Sequence, residues 1–131
     1  FGLPEARVGS FPGGGGVPLL LRALPRAVAM RMLLTGEPLA AERALHWGLV
    51  SDVVAPAALR DAARDLARRV VQCAPLSLAA IRRVAAAGEG RTLNDAYALT
   101  WEAFDALADT HDRQEGRRAF AEKRTPRFEG R

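Results

Sequence analysis

At 131 residues, with 49% apolar and 26% charged side chains and a net charge of +4, the chain has the balance of an ordinary core-forming globular segment, not a disordered one. Its longest apolar runs, such as Val17-Pro18-Leu19-Leu20-Leu21, break at arginine or proline well short of the roughly 20 residues a membrane helix needs. The positive charge is not gathered into a block: Arg60-Asp61 and Arg64-Asp65 alternate in sign, and the arginine pairs have no aromatic between them, which argues against a nucleic-acid face.

The opening Phe1-Gly2-Leu3-Pro4-Glu5 has neither an initiator methionine nor the basic and apolar regions of a secretory signal, so the chain reads as cut rather than begun. Four glycines at 13–16 then run into an apolar segment. Pro25 opens a predicted helix over 26–34 that Gly36 closes, following the proline-first, glycine-last asymmetry. A second helix is expected over 40–47, ending at Gly48. The valine-rich stretch 49–54 is too short for a helix and reads as a strand.

Pro56 begins a long predicted helix to about Cys73, with Leu59, Ala63, Leu66, Val70 and Cys73 at helical spacing on an expected buried stripe. Asp61 and Asp65 stand three or four residues before arginines on its other face. A further helix is expected over 77–87, ended by Gly88-Glu89-Gly90. Thr92 is a candidate N-cap for the next, whose Leu93, Tyr97, Trp101, Phe104 and Ala108 form one apolar stripe. Asp112 and Glu115 have capping-box spacing and are expected to start the last helix. So many helices with one strand leave a sheet short of partners, and the reading is either a small sheet or one built mostly upstream.

Three features carry chemistry. Glu5 lies eight residues before the glycines, and glycines before a helix let the backbone approach a ligand while the first-turn N–H groups face it. The run is neither a dinucleotide fingerprint nor a Walker loop, since no strand of length precedes it and no Lys-Ser or Lys-Thr follows. Lys123 is the only lysine among 19 cationic residues, a compact ammonium kept where every other position uses the planar arginine fork. His46 at a helix end, and His111 at a helix joint beside Asp112, are expected to be structural. The lone Cys73 cannot form an internal disulfide and no Cys or His spacing suggests a metal ligand set, so no metal is expected, and a reducing, cytoplasmic setting fits.

Taken together, Phe1-Gly2-Leu3-Pro4-Glu5, the 9–16 segment, Leu34-Thr35-Gly36, the 44–50 segment, Ala74-Pro75-Leu76 and the terminal Glu115-Gly116, Phe120-Ala121-Glu122-Lys123-Arg124, Pro126 and Phe128 resemble, in order and spacing, the C-terminal half of the crotonase, or enoyl-CoA hydratase/isomerase, family. The resemblance implies an α/β crotonase-like spiral fold. This portion would be mostly α-helical with few short strands: 1–55 as the end of the spiral core, and 56–131 as a C-terminal helical oligomerisation region that builds homotrimers or dimers of trimers. It implies an acyl-CoA thioester as substrate and no separate cofactor, while the apolar runs and charge pattern themselves argue against a membrane or nucleic-acid partner. By the same resemblance Glu5 exchanges a proton at the substrate α-carbon and the Gly13 backbone helps hold the water. Lys123 would meet the CoA phosphates, with Phe104 and Phe120 beside the adenine or pantetheine.

The activity so implied is reversible addition of water to the 2,3 double bond of an enoyl-CoA, a lyase reaction of fatty acid metabolism. An aspartate in place of Gly13 would suggest a dienoyl isomerase, and Val17-Pro18-Leu19 replaces a more polar segment of many relatives, leaving acyl specificity open. A simple double-bond isomerase manages with one glutamate at Glu5, and a truncated non-catalytic partner subunit is a further alternative. In the family the oxyanion donors and the first hydratase glutamate precede this segment. Each such group is worth about 10²-fold or more in rate, so the isolated chain is expected to be almost inactive.

Overall fold

The computed structural model describes residues 1–131, which divide into two compact units, Phe1–Leu59 and Arg60–Arg131. The first opens with a 3-10 turn over Glu5–Val8, which Gly9 ends in the left-handed conformation at φ 70°. Helix α1 spans Gly16–Ala23, α2 Arg26–Thr35 and α3 Ala41–His46. Pro25 fixes the entry to α2. Gly36, at φ 62°, closes it, its N–H bonding the Met32 carbonyl at 2.9 Å, as the sequence punctuation predicts. α1 packs on α2 around Leu24, Ala29 and Met32, with Leu20, Leu21, Val28, Leu39, Trp47 and Leu49 closing over them.

Residues 49–54 form no strand. The Leu49 N–H instead turns back to the Ala44 carbonyl at 2.8 Å. A strand exists only with a neighbour to accept its ladder bonds, and no segment of the chain supplies one, so β-propensity alone does not decide this stretch.

In the second unit a 3-10 turn over Pro56–Ala58 leads into α4, Leu59–Val71, followed by α5, Pro75–Gly88, α6, Leu93–Ala106, and α7, His111–Ala121. The helices are those the periodicity predicts, and α5 packs along α6. The expected buried stripe on α4 is not buried: Leu59, Leu66 and Val70 are exposed, and so is Cys73, a free thiol rather than a core residue. Tyr97, Trp101 and Phe104 on α6 are also more than half or about half exposed. Helical spacing identifies an apolar face, but what covers that face is a separate matter of packing. No helix in the chain is long and apolar enough by itself to cross a membrane.

Candidate functional site

The residues of interest fall on both units. In the first, Pro4 precedes the 3-10 turn and the Arg7 N–H bonds the Pro4 carbonyl at 2.9 Å, while the Glu5 carbonyl accepts from Ser10 at 2.9 Å. This short turn holds the Glu5 backbone, yet the Oε2 of its carboxylate is buried without a hydrogen-bond partner. A buried polar atom normally finds a partner, and an exception is where chemistry is to be sought. The Glu5 side chain is partly buried, so the group is shielded but reachable.

The glycine loop follows. Gly14 and Gly15 take φ 60° and 89°, a conformation that only glycine adopts at little cost. Gly15 caps α1, and the Gly16 N–H bonds the Gly13 carbonyl at 3.1 Å. A Cβ on Gly16 would come within 3.0 Å of Pro12 and 3.4 Å of Leu3, so the loop closes against the strip of chain that carries Glu5. Around Gly13 the space is open, with nothing within 4 Å of where a Cβ would stand. Its own N–H makes no bond within the chain, leaving a donor available beside that space.

In the second unit, Phe104 and Phe120 come together. Both line a cleft of about 500 Å³ with Leu107, Arg113, Arg117 and Phe128. The Arg113 guanidinium stacks 4.3 Å over the Phe104 ring, and Trp101 meets that ring edge-on at 5.6 Å. Phe120 is 86% exposed, an arrangement that contributes little to packing within the unit. Lys123 is not among the residues lining the cleft. It stands just past α7, exposed, and is the only non-glycine residue at positive φ, 55°.

That turn is a Schellman motif. The Lys123 N–H bonds the Phe120 carbonyl at 3.2 Å and the Arg124 N–H reaches back to Ala119 at 3.0 Å. Glycine is the ordinary occupant of the left-handed position, so lysine there is held by its surroundings against an intrinsic cost of about 1–2 kcal/mol.

The chain that leaves this turn is fastened to two carboxylates of α7 whose spacing suggests a capping box. The N-cap of α7 is Thr110, whose Oγ1 accepts from the Arg113 N–H at 3.3 Å, and not Asp112. Asp112 and Glu115 are buried. Glu115 accepts from Arg124 twice, at 2.6 and 2.9 Å, from Arg118 at 2.6 Å and from the Arg127 N–H at 2.9 Å. Asp112 accepts from the Glu129 and Gly130 N–H groups at 2.7 and 2.8 Å. Arg124, then Arg118, then the Arg127 amide hold the Glu115 carboxyl well below the usual carboxylate range, and Glu115 first, with Glu122, raises Arg124. Together they strap the C-terminal tail along α7. His111 opens that helix with Nδ1 buried and 3.9 Å from the Asp112 carboxylate, and His46 ends α3 edge-on to Trp47, positions consistent with packing roles.

This arrangement of helices is that of the C-terminal part of the crotonase fold. It superposes, over 100% of this chain and 54% of the other, on an enoyl-CoA hydratase from Mycobacterium marinum with a TM-score of 0.94 and 39% identity. The enoyl-CoA hydratase/isomerase family model matches residues 1–131, and the chain belongs to that family. It is 48% identical over 130 residues to the (E)-benzylidenesuccinyl-CoA hydratase of Thauera aromatica, covering 99% of this chain and 51% of that protein. To the carnitinyl-CoA dehydratase of Salmonella arizonae it is 40% identical, with 99% and 51% covered. The chain thus spans about half the length of the relatives it matches.

Proposed function

We propose that this chain is the C-terminal half of an enoyl-CoA hydratase that adds water reversibly across the 2,3 double bond of an enoyl-CoA thioester. The observation that carries the reading is Glu5: a shielded carboxylate with an unpartnered buried oxygen, beside a glycine loop with an unused amide at Gly13. The named activities of the relatives, hydration and dehydration of CoA thioesters, supply the reaction class.

In the forward direction the oxygen of water bonds to C3, its second proton leaves to a base, and the protonated Glu5 delivers a proton to C2. In reverse the Glu5 carboxylate removes the C2 proton while the C3 hydroxyl takes a proton back from the acid form of that base and leaves as water. The Gly13 amide is suited to orient that water. Lys123 supplies a point charge for CoA phosphates, and Phe104 and Phe120 supply flat apolar surface for its adenine or pantetheine. Exposed apolar faces on α4 and α6 suit assembly into a homotrimer or dimer of trimers. The unpaired Cys73 suits a reducing cytoplasm.

The test is Glu5→Gln in the full-length protein, followed by loss of enone absorbance with crotonyl-CoA. Turnover is expected to fall by about 10²- to 10⁴-fold. Near-normal hydration by the variant would sink the assignment. Migration of the double bond in a 3-enoyl-CoA without water uptake would assign the wild-type protein to isomerisation instead.

A further inference from the structure

Glu5 sits on a turn of four residues, none of them buried, and such a turn has no core of its own to fix it. Its place is set by two fastenings on the chain that leaves α2. At one end Phe1 and Leu39 exchange backbone hydrogen bonds, Phe1 N to Leu39 O at 2.9 Å and Leu39 N to Phe1 O at 2.7 Å. Gly2 then lies 3.7 Å from Pro38, measured from where a Cβ would be. At the other end the Arg7 Nε donates to the Thr35 carbonyl at 2.7 Å. The two segments run antiparallel, with Glu5 between the fastenings.

The Arg7 contact is specific. Its stem lies across Gly36 so closely that a Cβ there would meet Arg7 Cγ at 2.9 Å and Cδ and Nε at 3.1 Å. Only a residue without a side chain leaves room for the guanidinium to reach the last carbonyls of α2, where the helix dipole favours a cation. The nearby acid does not compete, because Glu37 is taken by Arg31 at 3.0 and 3.1 Å. Arg7 is exposed, so removing it opens no hole in the core.

We infer that Arg7 is a positioning residue for Glu5, holding the 3-10 turn against the C-terminus of α2 through the space that Gly36 leaves. The inference rests on the proposed proton-transfer role of Glu5. A misplacement on the ångström scale far from the reacting atoms can cost up to about 10²-fold in rate, so a loosened Glu5 should show in turnover before it shows in binding.

The experiment uses the full-length protein and crotonyl-CoA, with Arg7→Met, Arg7→Lys, Gly36→Ala and Glu5→Gln side by side. Arg7→Met is expected to lower kcat about 10-fold with KM within about twofold of wild type. Exchange of the α-protons of butyryl-CoA in deuterated water, a readout of proton transfer at C2 without water addition at C3, should fall in parallel. Arg7→Lys, which keeps a cationic donor for the Thr35 carbonyl, should recover most of both. Gly36→Ala, which pushes on the same stem from the other side, should reproduce the Arg7→Met signature and covers the case in which Arg7→Met folds poorly. An inactive Glu5→Gln beside an Arg7→Met of normal kcat removes this inference alone, as does a loss that Arg7→Lys does not repair. An active Glu5→Gln removes the role of Glu5 and this inference with it.

Discussion

Glu115 and Arg124 face each other in a two-pronged pair, Nη1 to Oε1 at 2.6 Å and Nη2 to Oε2 at 2.9 Å, with the carboxylate only 3% exposed. Arg118 and the Arg127 amide complete its coordination, so this buried anion has no unmet need. A fully satisfied bidentate pair fixes direction as well as distance. The direction fixed here is that of the chain on leaving α7.

Replacing the carboxylate should therefore cost more than replacing any one of its partners. Glu115→Ala leaves Arg124, Arg118 and the Arg127 amide without their acceptor, whereas Arg118→Ala removes a side chain that is 60% exposed. Thermal unfolding of the full-length variants is expected to rank Glu115→Ala well below Arg118→Ala in Tm. Equal Tm values would mean the tail is held some other way.

The same pair gives the protein an acid-sensitive joint. The Glu115 carboxyl, held far below its ordinary value of about 4.3 by Arg124 first, binds its proton more weakly folded than unfolded. Its contribution to stability is complete above that ordinary value and is lost as pH falls toward the lowered one. Below about pH 4, Tm of wild type should drop more steeply than that of Glu115→Gln. Parallel curves would contradict the linkage.

Lys123 makes a stability and function trade measurable. Lys123→Gly places the preferred residue at φ 55° and should stabilise the turn by about 1 kcal/mol. If the ammonium meets CoA, the same change should raise KM for the thioester substrate more than it lowers kcat. A more stable variant with unchanged KM would leave Lys123 a surface residue only.

The caps are simpler. Thr92 accepts from the Asp95 N–H at 3.2 Å and Thr110 from Arg113 at 3.3 Å, so Thr92→Ala and Thr110→Ala should each cost about 1 kcal/mol in denaturant unfolding. Losses below a few tenths of that would show that neighbouring packing holds these helix starts without them.

What could be read from the residues was what is decided within a few positions. Pro25 and Gly36 bracket α2, and Thr92 marks the start of α6, because caps and breakers act on adjacent backbone. The stretch 49–54 could not be read, since a strand depends on a partner distant in sequence. Asp112 and Glu115 have the spacing of a capping box, but apart from Arg118 their actual partners stand 9 to 18 residues onward. Arg7 gave no signal at all, because the glycine it covers is in another element. Glu5, the glycine run and the lone Lys123 stand out from the residues themselves, whereas Phe104, Phe120 and the role expected of each of the five come through family resemblance. The structure shows what surrounds each of them, including the cleft that brings the two phenylalanines together.

The strap along α7 is addressed largely through main-chain N–H groups, those of Arg127, Glu129 and Gly130. Any residue but proline offers the same donor. Asp112 and Glu115 thus form a lock that, beyond Arg124, recognises the path of the tail more than its spelling. In a randomised library, side chains at 127 and 129 should vary freely while proline is purged from both, residue 130, at φ 76°, should stay glycine, and the two helix carboxylates should tolerate almost no exchange.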